Sequence, residues 1–171
     1  AFTPVAHRAH EQPTIHCGRA SFNEFDKPFD YVGTVTRPFK PQDHASLVEQ
    51  LAARGNRTAI MKLTEQLFRS VMGIDYRLVD GDGWPEVARG PAGVNDWSMP
   101  AGVGMLSQGE ETVLTFCLFL ALAHDAVEDG MVIGVRESLN RVDPNRQFKA
   151  FDLLRDFIAA TGASVCYQTD K

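Results

Sequence analysis

The segment Leu106-Ser107-Gln108-Gly109-Glu110-Glu111 places a serine and a glycine where a long apolar run begins. If that run is helical, its first turn leaves backbone N–H groups without intrahelical partners. The positive end of the helix dipole then faces outward, which is a site for a phosphate. The same residues have a plainer use, because Ser107 and Glu110 fit the S-x-x-E capping box that starts a helix. Further along, Arg136-Glu137 fits a simple ion pair at a strand end. Asp143 before Pro144 suits a helix N-cap. A second constellation, His7-x-x-His10 followed by His16-Cys17, is made of zinc-ligand types. Its spacing fits no standard finger and lacks a paired Cys-x-x-Cys, so solvated side chains compete with a metal there.

Other chemistries are poorly provided for. The chain has no G-x-S-x-G elbow. Cys117 and Cys166 stand inside apolar runs, where a thiol is normally inert. His124, at the end of the apolar run, reads as a partner for a helix C-terminal dipole. Asp80-Gly81-Asp82-Gly83 resembles half of a calcium loop, but no bidentate glutamate follows at the required distance, and a hairpin turn accounts for it.

Positioning these residues requires an α/β fold. Residues 1–45 hold five of the nine prolines and four of the five histidines, with aromatic residues at no helical period. They read as an extended arm with one short strand, Tyr31 to Thr36, and the aromatics suggest that it packs on something. From residue 46 to 171 the pattern is that of an α/β lobe. Asp43 or Ser46 caps a short helix through Leu47 and Leu51, stopped by Gly55. Ile60, Leu63, Leu67 and Val71 mark one face of a helix from Arg57 to Met72, ended by Gly73. Ile74 to Val79 alternates and returns at Trp84 to Ala88, a hairpin. Arg89 to Met105 is rich in Gly and Pro and reads as a loop. Glu110 to Ala123 is apolar all round, the mark of a buried central helix. Met131 to Val135 and Ala163 to Tyr167 read as buried parallel strands joined by a helix from Pro144 to Gly162.

Composition bounds the function. The 171 residues carry 17 basic and 22 acidic side chains, a formal charge of −5, which argues against a free-standing binder of nucleic acid or anionic membrane. With 44% hydrophobic residues the chain can bury a sizeable core unaided. Three widely spaced cysteines point to no disulfide framework and to a reducing, cytoplasmic setting. No apolar run reaches the roughly 18–20 residues of a membrane span. The start, Ala1-Phe2-Thr3-Pro4, is no signal peptide, and the lack of an initial Met suggests trimming or processing.

In order and spacing, residues 57–171 resemble the C-terminal lobe of ABC-type ATPase heads of the SMC and RecF-like group. Leu106-Ser107-Gln108-Gly109-Glu110 stands where that family's LSGGE signature opens a long helix, with Gln108 replacing a glycine. Met131 to Val135 stands for the Walker B strand, Val142-Asp143-Pro144 for the D-loop, and Gln168 for the switch histidine. The resemblance implies that Ser107, Gln108 and Gly109 contact the γ-phosphate of ATP held by another subunit or lobe. It implies that Glu137 is the catalytic glutamate and that Asp143 communicates across a dimer. It further implies work in DNA repair or chromosome maintenance, with DNA reached through the assembly.

Two departures limit what the chain does alone. It has no G-x-x-x-x-G-K-[ST] phosphate loop, so ATP and Mg²⁺ are expected only with a P-loop-bearing partner or lobe. Arg136 stands where the Walker B aspartate belongs, and arginine cannot hold Mg²⁺. At most half of an ATPase site is expected. The alternative is a non-catalytic assembly protein, able to form a homo-oligomer, that docks through its N-terminal arm.

Overall fold

The computed structural model describes residues 2–4, 15–18, 41–73, 76–79, 83–89, 100–101, 106–127, 131–136 and 138–168. Strand β1 is Ile15–Gly18. Helix α1, Pro41–Ala52, opens on a proline, whose missing N–H would have no partner at a first helical position in any case. It therefore begins earlier than the cap expected at Asp43 or Ser46. Leu47 and Leu51 of this helix are buried. Helix α2, Arg57–Met72, buries Ile60, Leu67 and Val71 of the expected stripe, joined by Phe68, while Leu63 is only partly buried. Gly73 ends it in the left-handed region at φ 66°, donating its N–H to the Arg69 carbonyl at 2.9 Å.

Strand β2, Tyr76–Val79, and strand β3, Glu86–Arg89, pair antiparallel as the expected hairpin, with Tyr76 opposite Arg89 and Val79 opposite Glu86. Strand β4, Pro100–Ala101, adds a third strand beside β3, inside a stretch whose Gly and Pro content reads as loop. Helix α3, Gln108–Asp125, is the centre of the molecule, buried at every residue from Thr112 to Ala123. Full burial of a Leu or Phe side chain contributes about 1.5–3 kcal/mol, so this helix concentrates the hydrophobic stabilisation. Its two central threonines are satisfied internally, Thr112 donating to the Gln108 carbonyl and Thr115 to the Glu111 carbonyl, each at 2.8 Å.

Strand β5, Val132–Arg136, leads through a 3₁₀ turn, Ser138–Arg141, to helix α4, Pro144–Thr161, and strand β6, Ser164–Gln168. Strands β5 and β6 are parallel, as the alternation of helix and strand predicts. The sheet has the order β1-β6-β5, because β1 lies parallel to the other side of β6 with Ile15 opposite Val165. A stretch read as part of the extended arm thus supplies an edge strand. The strand expected at Tyr31 to Thr36 lies outside the described residues.

The start of the chain is also anchored. The Phe2 ring packs 5.5 Å from those of His124 and Phe157, and the Thr3 carbonyl is 2.8 Å from His124 Nε2. His124 does stand in the last turn of α3, and Thr3 is its hydrogen-bond partner. Over the described residues the architecture is α/β: helices around one buried helix, with two small sheets, one parallel and one antiparallel. Among the described residues no helix is long and apolar enough to cross a membrane.

Candidate functional site

Ser107 is the N-cap of α3, extended at φ −65° and ψ 157°, and its capping box is complete. The Glu110 N–H donates to Ser107 Oγ at 3.3 Å, and the Ser107 N–H donates to Glu110 Oε2 at 2.8 Å. The Glu111 N–H reaches the Ser107 carbonyl at 2.9 Å. This leaves the Gln108 and Gly109 N–H groups, which a first helical turn cannot pair internally, together with the Ser107 hydroxyl proton. Ser107 and Gln108 are exposed and Gly109 is half-buried. The capping box forms, and it uses neither of those two N–H groups nor the hydroxyl proton.

A Cβ built on Gly109 would stand 3.5 Å from the Arg141 carbonyl oxygen, ordinary contact distance. The glycine is therefore not demanded by packing. The same contact brings the 3₁₀ turn against the start of α3, so the Ser107 cap and the Val142-Asp143 segment belong to one end of the molecule. Gln147 secures that turn by donating to the Leu139 and Val142 carbonyls, each at 2.8 Å. Sequence reasoning passed over Gln147, because its role depends on where the preceding turn lies. Asp143 is the N-cap of α4, accepting the Arg146 N–H at 3.1 Å and pairing with Arg146 Nε at 3.2 Å.

At the carboxyl edge of the parallel sheet, Arg136 is in register with Gln168, and Gln168 with Gly18. The positions compared with Walker B and the switch residue are thus neighbours on adjacent strands. Arginine offers donors and no lone pair for a cation, so Mg²⁺ does not fit there. The donors at Ser107, Gln108 and Gly109 do fit a phosphate. Glu137 lies outside the described residues, as do His7, His10 and residues 80–82. His16 and Cys17 fall on β1, and among the described residues no group of three metal-ligating side chains gathers. Cys117 is fully buried, and that burial pushes its thiol well above the usual range, so it is no nucleophile.

A groove of ≈ 380 Å³ lies at the other end of α3, lined by Asn56, Lys62, Gln66 and His124 among others. It is separated from the Ser107 cap by a helix length of about 25 Å. Its rim is tied by an Asn56–Asp125 hydrogen bond and an Arg54–Asp125 ion pair of 3.5 Å.

No family model and no curated protein matches the sequence. Among solved structures, 51 chains match. One is an SMC head crystallised with the C-terminal winged-helix domain of ScpA, with a TM-score of 0.54 and 15% identity. The match covers 78% of this chain and 43% of that one. The chain therefore has a fold similar to that of an SMC head, over less than half of that chain's length.

Proposed function

We propose that this chain is the C-terminal-lobe half of an SMC- or RecF-like ATPase head, competent only with a P-loop-bearing partner or lobe. The observation that supports it most is the exposed, serine-capped start of a buried helix, set within a fold similar to an SMC head. Ser107, Gln108 and Gly109 would donate to the γ-phosphate of ATP held by the partner, where fixed donors act on developing charge. Asp143 would meet the partner beside that site, and Glu137 would orient the attacking water. Any Mg²⁺ takes its protein ligands from the partner, since Arg136 supplies none. DNA repair or chromosome maintenance in the cytoplasm is the corresponding role, with DNA reached through the assembly.

Arg136 also favours a second reading, an assembly module that engages a partner without turnover. One experiment separates the two. ATP binding and hydrolysis are measured for the full chain alone, and mixed with the products of neighbouring genes. The expected result is hydrolysis that appears only in a mixture and falls at least ~100-fold with Ser107→Arg. If no mixture binds nucleotide, the ATPase reading is wrong and Ser107 is a helix cap. Binding without hydrolysis selects the assembly module.

A further inference from the structure

Tyr76 is 1% exposed, and a phenol so buried needs a hydrogen-bond partner. It donates to Glu110 Oε1 at 3.0 Å, across from β2 to the first turn of α3. The other oxygen of that carboxylate is the one accepting the Ser107 N–H. Glu110 is therefore held at both oxygens, whereas the glutamate of an ordinary exposed capping box has only its N-cap contact.

We propose that Tyr76 is a positioning residue for the phosphate-facing end of α3, and that the antiparallel sheet sets the geometry of that end through it. The proposal rests on the reading that Ser107, Gln108 and Gly109 face a phosphate. Tyr76 is itself fixed from behind. Its ring packs on Phe68 of α2 at 5.0 Å, and the Leu78 N–H on the same strand donates to Glu65 Oε2 of α2 at 2.8 Å. A continuous path of close contacts thus runs from α2 through β2 to Glu110 and Ser107. It does two things for an anion site. It fixes the rotamer of Glu110, and so the direction in which Ser107 is pinned. It also places two donors on the Glu110 carboxylate, one of the two acidic side chains of this first turn that would oppose a phosphate.

The test uses the full chain with Tyr76→Phe, which keeps the ring and removes the hydroxyl, and Glu110→Gln. Amide exchange is followed residue by residue by NMR. Exchange at Glu110 and Glu111 should quicken about five-fold in Tyr76→Phe, the loss expected for one partly buried hydrogen bond. Exchange from Phe116 to Leu120 should not change, and the double variant should add little to either single one. Unchanged exchange at Glu110 and Glu111, or a uniform rise along α3, overturns the proposal. Glu110→Gln carries the test if Tyr76→Phe fails to fold. Titration with inorganic tripolyphosphate examines the underlying reading separately. Shifts of the Gln108 and Gly109 amides in the wild-type chain, weakened in Tyr76→Phe, are expected. Their absence in the wild-type chain, together with the absence of nucleotide binding in every partner mixture, overturns the phosphate reading and leaves Tyr76 a clamp on a helix end.

Discussion

Helices α3 and α4 are both 18 residues long and both begin at a capping side chain, yet their N-termini are different electrostatic objects. At α4 the cap is the Asp143 carboxylate, Pro144 has no N–H to offer, and Arg146 neutralises the carboxylate at 3.2 Å. The positive end of that helix dipole is already occupied by the protein's own anion. At α3 the cap is a neutral hydroxyl, and the nearest carboxylate, Glu110, is engaged by Ser107 and Tyr76. Donors at Gln108 and Gly109 remain for an outside ligand. The pair shows that two capped helix starts of equal length can differ in the donors and charges they leave at the surface.

Four substitutions sharpen or break this comparison. The largest effect belongs to the rod that supports the α3 end. Phe116 is fully buried, so Phe116→Ala should destabilise the chain by about 3–5 kcal/mol, read as a lower denaturant midpoint. A loss below about 1 kcal/mol would mean that α3 is not the packed centre described above. Next come the exchanged caps. Ser107→Asp should hold stability within about 1 kcal/mol, as one good N-cap replaces another, yet abolish tripolyphosphate shifts at Gln108. Asp143→Ser should cost about 0.5–1 kcal/mol and leave those shifts unchanged. Equal effects of the two swaps on tripolyphosphate would remove the distinction between the helix ends. The smallest effect is at Gly109. Since a Cβ there meets the Arg141 carbonyl at ordinary distance, Gly109→Ala should raise stability by at most about 1 kcal/mol, measured by thermal melting. Impaired partner-dependent ATP hydrolysis in that stable variant would show that the glycine serves close approach of a ligand rather than the fold.

What could be read from the chain depended on the range of the interaction. Helix ends set by a single residue were legible: Gly73 and Gly162 stop their helices in the left-handed region, and Ser107 and Asp143 start theirs. The all-round apolar run of α3 announced a buried helix, and the parallel pairing of β5 and β6 followed from the intervening α4. Long-range contacts were not legible. Strand β1 is four residues long and contains His16 and Cys17, whose types suggest ligands rather than an edge strand, and its partner lies at the far end of the sequence. Tyr76 read only as one position in an alternating strand, because nothing local ties it to Glu110. Strand β4 was hidden for a different reason, since Pro100 carries no N–H and resembles loop chemistry.

The pairing of β1 with β6 has a consequence for how the molecule comes into being. The earliest described strand waits for the last one: Ile15 pairs with Val165 only once that residue has emerged, and the wall around Phe2 is complete only with Phe157. The α2 helix and the hairpin after it can settle as they are synthesised, from contacts close in sequence. The parallel sheet closes only once residues 164–168 have been made, and contacts of such long span slow folding. Until then β1 has no sheet neighbour, and an unpaired strand edge invites the wrong partner.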